Sequence, residues 1–373
     1  MNQINFVVPT LFGLEGLVAE ELRRLNLNKV KAENGRVRCV GTFADVARMN
    51  ICLRTGERVL VEVGEFTASS FDQLFEGTKA LNWEDYIPQD GAFPVKGYAI
   101  NSTIHSVPDS QAIIKKAVAD RLGGKYGMTI LPETGTTYQL QFSIMKDHAT
   151  LMIDTSGQGL HKRGYRAKGV VAPLRETLAA ALVTLARYRG QDPLCDPFCG
   201  SGTIPIEGAL IAKNVAPGLS RSFRAQKYQW CPSGLWLEAS TEAMDKEFDG
   251  NYEIYASDID PKALKIAAHN AKLADVDDIV DFEQMPASEF HRREEYGRVV
   301  TNPPYGERIM ERSEAQDLYR SFGETWKKMG SGWRLYLLSS HTELERCFGK
   351  EAEKKRKLYN GMLKCDLFMF GKV

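Results

Sequence analysis

The chain opens on a short apolar run, Ile4 to Pro9, after which Leu14, Leu17, Val18, Leu22 and Leu25 recur at helical spacing through a glutamate-rich segment. Val30 to Ala32 and Arg36 to Val40 flank Asn34-Gly35, a dipeptide that favours a tight hairpin. Phe43, Val46, Ala47, Asn50 and Ile51 predict a second helix, so residues 1–55 read as a small α+β unit of ferredoxin-like order β-α-β-β-α. From Arg58 to Phe66 the pattern alternates as a strand. Pro94 to Ser102 is a further strand, and Pro108-Asp109-Ser110 starts a helix carrying Ile113, Ile114, Ala117, Val118 and Leu122, which Gly123-Gly124 should stop. Tyr138 to Met145 and Ala149 to Asp154 alternate again around a turn, Lys146-Asp147-His148.

Beyond a loop at Thr155 to Gly159 the period changes. Leu174, Leu178, Ala181, Leu182 and Leu185 form a helical stripe, and strands then alternate with helices: Pro193 to Cys195, Thr203 to Ala212, Glu253 to Ser257, a helix opened by Pro261, Ile279 to Phe282, Arg298 to Thr301, Gln316 to Met329 and Trp333 to Ser339. Tyr359-Asn360-Gly361-Met362 predicts a hairpin before Leu363 to Phe370. Repeated β-α with hydrophobic strands implies a largely parallel sheet covered on both faces, with one antiparallel strand from the final hairpin. The expected domains are therefore 1–55, 56–160 and 161–373.

Composition narrows the class. The 373 residues exceed one ordinary core, since roughly 150 residues make a domain. Lys plus Arg and Asp plus Glu both number 48, so no global basic field announces a nucleic acid and any such partner must meet local patches. One patch is Lys162, Arg163, Arg166, Lys168 and Arg175, with no acidic residue between 161 and 175; on charge alone it reads equally as a solvated linker. Lys354-Lys355-Arg356-Lys357, beside Glu351 and Glu353, reads as a surface face. Seven cysteines without metal or redox spacing read as reduced thiols, and no metal is expected. The N-terminus lacks a signal-peptide pattern and no apolar run approaches the roughly 20 residues of a membrane span, so a cytoplasmic location is expected.

Two stretches carry chemistry. In parallel sheets ligands sit beyond the carboxyl ends of the strands. Asp196-Pro197-Phe198-Cys199-Gly200-Ser201-Gly202-Thr203 follows the first strand, and its glycines permit positive φ and close approach to a nucleotide-like ligand. The second strand ends at Asp258, a carboxylate suited to ribose hydroxyls, but 56 residues after Gly202, which disfavours a compact dinucleotide fold with its spacing of about 20. The extra length, Asn214 to Phe248, is either a substrate-facing insertion or a surface excursion with its own core. At the fourth strand, Asn302-Pro303-Pro304-Tyr305 is a rigid turn, because each proline fixes its own φ and restrains the residue before it. The Asn302 side-chain oxygen and the Pro303 carbonyl can accept two N–H bonds from an exocyclic amine while Tyr305 stacks on the base. No histidine stands near either stretch in sequence.

The two stretches, in this order, resemble class I S-adenosylmethionine-dependent amino-methyltransferases. Phe75-Glu76-Gly77-Thr78-Lys79-Ala80-Leu81, Trp83 and the strand-helix-strand pattern after them resemble a THUMP domain, which helps hold structured RNA. Nearly the whole chain resembles bacterial THUMP-domain methyltransferases that modify guanine N2 in 23S rRNA. The resemblance implies a Rossmann-like domain with a seven-stranded sheet. It implies S-adenosylmethionine contacts at Asp196, Phe198, Gly200, Gly202, Thr203, Asp258 and Gln284. The target base falls to Asn302, Pro303, Pro304 and Tyr305, and RNA to Lys162, Arg163, Arg166, Lys168, Lys115 and Lys116. One position departs from the pattern: Pro286 or Ala287 stands where such enzymes present an Asp to the adenine, leaving backbone groups, Gln284 or Ser288 for that role. Rival readings are methylation of tRNA, methylation of adenine N6 in DNA, and a non-catalytic RNA-binding assembly factor.

Overall fold

A computed structural model describes residues 3–166, 174–306 and 311–371 of the chain. The first half runs β1 (Ile4–Pro9), α1 (Glu15–Arg24), β2 (Asn28–Glu33), β3 (Arg36–Gly41), α2 (Phe43–Cys52), β4 (Leu60–Thr67), α3 (Phe71–Lys79), β5 (Val95–Ile100), α4 (Val107–Tyr126), β6 (Leu140–Met145) and β7 (His148–Asp154). These strands make one sheet in the order β2-β3-β1-β4-β7-β6-β5. β1 pairs with β4 across the expected boundary at residue 55, so the two N-terminal units share a sheet and a hydrophobic core.

Two local expectations are corrected. α4 runs through Gly123-Gly124 to Tyr126 and is ended by Gly127 at φ +67, because burial of Ile114, Val118 and Leu122 outweighs the low helix propensity of two glycines. His148 is the first residue of β7, paired with Met145, and not part of the turn. Lys146 and Asp147 both adopt positive φ and complete a two-residue hairpin turn alone. The His148 ring then faces Glu65 at 3.1 Å.

The second half contains α5 (Glu176–Leu185), β8 (Leu194–Asp196), α6 (Thr203–Ala212), α7 (Ser233–Met244), β9 (Ile254–Asp258), α8 (Pro261–Leu273), β10 (Val280–Gln284), β11 (Tyr296–Thr301), α9 (Arg312–Trp326), β12 (Gly332–Ser339), α10 (Leu344–Phe348), β13 (Lys354–Asn360) and β14 (Leu363–Phe370). The sheet order is β10-β9-β8-β11-β12-β14-β13. All pairings are parallel except those of β14, which runs opposite to both neighbours. This is the Rossmann-like, seven-stranded methyltransferase architecture expected. Its strand order reverses between β8 and β11, the crevice where parallel sheets bind ligands. Separate apolar clusters cover the two faces.

Asn214 to Phe248 does not build a core of its own. Phe223, Ala225, Tyr228, Cys231, Trp236, Ala239 and Ala243 belong to the same core as Phe6, Val61 and Tyr138 of the first half. Tyr228 stacks on Tyr138 at 4.4 Å and donates its hydroxyl to the Asp154 carbonyl at 2.8 Å. Trp230 donates to the Tyr86 carbonyl at 3.2 Å, and Arg48 pairs with Glu242 at 2.8 Å. The excursion is an arm by which the second half grips the first. In return Leu14 is buried in the core of the second half.

Candidate active site

The carboxyl ends of β8, β9 and β11 lie side by side, which brings the two chemical stretches together. Asp196, at the end of β8, is 2% exposed. Its Oδ1 accepts from the Phe198 amide at 3.1 Å and from the Thr301 hydroxyl at 2.6 Å, a bond spanning 105 residues of chain. Thr301 directly precedes Asn302, so this one carboxylate fixes the glycine turn against the proline turn. Burial pushes the Asp196 carboxyl up to about 7, while the Thr301 and Phe198 bonds pull against that shift.

In the glycine turn the Gly200 amide donates to Asp258 Oδ2 at 2.8 Å, and the Asp260 amide donates to Asp258 Oδ1 at 3.0 Å. Gly200 and Gly202 both have positive φ, +52 and +80. A Cβ on Gly202 would stand 3.0 Å from Cβ of Ala267 in α8, whereas the corresponding direction at Gly200 is open space. Gly202 is thus required by packing and Gly200 by conformation. Thr203 begins α6 and is 5% exposed. Phe198 turns toward Phe322, with ring centroids 5.2 Å apart, and packs on the apolar cluster of that face. Gln284 ends β10 opposite Asp258 and donates to the Ile259 carbonyl at 3.2 Å. Pro286 precedes a short 3-10 turn, Ala287–Glu289, whose Ser288 carbonyl accepts from Thr325 at 2.8 Å.

The proline turn is satisfied internally. The Tyr305 hydroxyl donates to Asn302 Oδ1. Burial, and then Cys365 nearby, push the Tyr305 phenol well up, against a hydrogen bond with Asn360. Pro303 is buried, and the Pro304 carbonyl accepts from Tyr319 of α9 at 2.7 Å. Tyr319 also bonds Ser339 at 3.0 Å, and Ser339 in turn accepts from the His341 amide at 3.0 Å. The His341 ring stands edge-on to Tyr319 at 5.5 Å. Its Nδ1 accepts from the Glu343 amide at 3.2 Å, and burial followed by Arg312 lowers its pKa. A histidine does therefore stand behind the turn, brought from 36 residues further along the chain. Nothing in local spacing marks Thr301, Tyr319 or His341: Tyr319 reads as one more apolar position of a helix stripe.

The residues expected to meet RNA divide. Arg163 is 2% exposed, with donors on the carbonyls of Leu160 at 2.7 Å and Arg54 at 2.5 Å and Nε 3.4 Å from Glu207. Its ion pair with Glu207 is internal to the second half, its bond to the Arg54 carbonyl reaches the first, and it does not reach a phosphate, because carboxylate and carbonyl acceptors enclose its fork. Arg166 Nε lies 3.0 Å from Glu176, and its Nη2 donates to the Leu174 carbonyl and to Thr203, so it is held by acceptors inside the protein. Arg175 pairs with Glu57 at 2.9 Å. Lys115 lies 3.6 Å over the Phe93 ring and pairs with Glu133. Lys162 and Lys116 are exposed, and Lys168 lies outside the described residues. Among the described residues no group of acidic, histidine and cysteine side chains could hold a metal, and no helix is long and apolar enough to cross a membrane.

Three family matches cover the chain: the RlmL ferredoxin-like domain at residues 5–60, the THUMP domain at 68–154, and the RMKL-like methyltransferase domain at 163–368. The Bacillus subtilis protein named "Putative RNA methyltransferase YpsC" is 42% identical over 99% of this chain and 96% of its own length. "Ribosomal RNA large subunit methyltransferase K/L" of Syntrophotalea carbinolica is 35% identical over 98% of this chain but 53% of its own length, so the chain spans about half of that relative. A Listeria monocytogenes structure described as a predicted N6-adenine-specific DNA methylase superposes with a TM-score of 0.94 at 46% identity, covering 100% of this chain and 97% of that one. A structure described as "SMU.472, a putative methyltransferase complexed with SAH" gives 0.94 at 38% identity over 100% of this chain and 99% of that one. With its methyltransferase domain matched over more than half its length and a full-length relative at 42% identity, this chain belongs to the RMKL-like, THUMP-bearing methyltransferase family.

Proposed function

We propose that the protein transfers a methyl group from S-adenosylmethionine to the exocyclic N2 of a guanine in RNA, 23S rRNA being the substrate best supported. The observation that carries this reading is the 2.6 Å bond from Thr301 to Asp196, which holds a cofactor turn and an amine-accepting turn edge to edge. When bound, the cofactor supplies an electrophilic sulfonium methyl. Asp258 receives the ribose hydroxyls, and Gly200 leaves the space into which the methionine part fits. Ile259, 70% exposed beside Asp258, and Gln284 flank the adenine in place of the missing acidic residue at Pro286.

The base amine takes the place that the Tyr305 hydroxyl now holds on Asn302 Oδ1, one donor exchanged for another at small cost. A second amine N–H meets the Pro303 carbonyl, so the nitrogen lone pair is freed from the ring and directed at the methyl group. Positioning, not a strong base, lowers the barrier, and the extra proton leaves the amine after transfer. Asn302→Ala should cut transfer by at least about a hundredfold while cofactor binding, followed by calorimetry, changes less than about threefold.

A turn of this kind accepts any exocyclic amine, and the Listeria neighbour's description names adenine in DNA. The THUMP match argues for RNA. Purified protein with labelled cofactor should methylate ribosomal RNA from cells lacking the protein, and digestion should release N2-methylguanosine. Label in DNA adenine or in tRNA instead would replace this reading.

A further inference from the structure

Outside the turns already described, the last hairpin is the part of the molecule with unspent chemistry. β14 is antiparallel to both β12 and β13, so β13 runs in the sense of the parallel strands and its end, Asn360, lies on the catalytic edge of the sheet. The tip beyond it carries Met362, 101% exposed. The hairpin adjoins the proline turn: Tyr305 and Leu363 pack on one apolar cluster, and Asn360 and Cys365 neighbour the Tyr305 phenol.

The opposite face of the same hairpin bears Lys357, Tyr359 and Lys364, with Asp366 across from Lys357. Tyr359 pairs directly with Lys364, and Lys357 lies two residues before Tyr359 on the same side. Both lysines are exposed, and neither forms an ion pair among the described residues. A loop of the first half, whose Leu11 and Leu14 pack with Leu358 on the other face, meets Tyr359 through Phe12. Arg356 donates to the Gly13 carbonyl at 2.5 Å, which ties the loop to the strand. Phe12 is thereby set 5.9 Å from the Tyr359 ring at 63° and remains 55% exposed.

Two rings, two ammonium groups without ion pairs and an apolar tip, on the far face of the hairpin that packs on a base-accepting turn, match an unpaired nucleic-acid strand, whose bases stack on aromatic faces and whose phosphates meet lysines. We propose that Phe12, Lys357, Tyr359, Met362 and Lys364 form a shelf that holds the unpaired RNA strand flanking the target nucleotide. The proposal rests on the RNA reading above and deepens it: the target would lie in a loop or single-stranded segment, continued from the proline turn onto the hairpin. It also gives the N-terminal half, through Phe12, a direct part in substrate contact at the catalytic edge.

The test uses the full chain and unmodified 23S rRNA transcribed in vitro, with Phe12→Ala and the double variant Lys357→Glu/Lys364→Glu. All three side chains are exposed, and thermal melting checks that the variants fold. RNA affinity by filter retention should fall about tenfold for Phe12→Ala and at least as much for the double variant. The salt dependence of binding in the double variant should flatten by one to two phosphate contacts, on the order of 0.7 each on a log–log slope. Cofactor affinity should stay within about twofold of the parent protein. Parent-like RNA affinity in both variants overturns the shelf, as does a parent protein that binds no RNA. If the variants lose RNA affinity but the parent methylates no RNA, the shelf stands and the proposed activity falls. If the parent methylates RNA and the variants match it in both binding and transfer, the activity stands and the shelf falls.

Discussion

The basic residues that follow the first half and those on the last hairpin occupy opposite environments. Arg163, Arg166 and Arg175 face Glu207, Glu176 and Glu57, and Arg163 is sealed from solvent. Lys357 and Lys364 stand on an exposed hairpin and form no ion pair among the described residues, although Asp366 lies opposite Lys357 across the hairpin. The difference follows residue type. A guanidinium is planar, weakly hydrated and able to serve several acceptors at once, so it can cement a junction between two cores. A lysine is strongly hydrated and costly to bury, and on the edge strand β13 it also discourages pairing with another chain. Density of positive charge along a chain therefore does not identify the surface that meets an anionic partner. The acceptors that the fold brings to each charge decide it.

The sharpest way to break this contrast is Arg163→Ala. Removing one partner of a buried pair leaves Glu207 with the Tyr165 hydroxyl at 3.0 Å but without its paired guanidinium, and urea unfolding should show a loss of about 3–5 kcal/mol. The double variant Arg163→Met/Glu207→Leu should recover much of that loss, because a well-packed apolar pair avoids the desolvation cost. A single variant as stable as the parent would place Arg163 among the solvated charges.

A buried acid sharpens the comparison from the other side. Asp196 has a folded-state pKa of about 7, above the ordinary carboxylate value, so its contribution to stability is full below about pH 4 and is lost as pH rises through about 7. Asp196→Asn keeps an oxygen acceptor for Thr301 and Phe198 but cannot ionise. Its melting temperature should therefore gain on the parent's between about pH 4 and about pH 8. A constant difference across that range would mean that Asp196 does not titrate there. The smallest effect is expected on the exposed side: Lys357→Glu/Lys364→Glu should change unfolding free energy by less than about 0.5 kcal/mol. A larger change would show that these lysines are structural after all.

Much of the architecture was legible in the residues themselves. Asn34-Gly35 marks the β2–β3 hairpin, alternation marks β4, β6 and β7, and the β-α order of the second half carries the parallel sheet. Legibility failed where distant packing outweighed a local rule. Gly123-Gly124 does not stop α4 because four apolar residues of that helix, Ile114, Ala117, Val118 and Leu122, are buried. His148 joins a strand because Lys146 and Asp147 close the turn without it. The arm from Asn214 to Phe248 has an ordinary amphipathic sequence, and nothing in it announces that its aromatic rings belong to a core built from the other half. In the candidate site, the glycine turn, Asp258 and Asn302 to Tyr305 stood out by composition. Tyr319 and His341 did not, since their relevance lies in bonds to residues far away in sequence.

By itself the sequence determined the backbone chemistry of two turns: glycines where φ is positive, prolines where a turn must be stiff, and an amide beside them. These are properties of a few consecutive residues and need no partner. Only the tertiary structure decided that Asp196 and Thr301, 105 residues apart, share a hydrogen bond of 2.6 Å, and which basic side chains are spent inside and which remain in solvent. Both depend on desolvation and on the position of the opposing group, which arise only when strands distant along the chain become neighbours in the sheet.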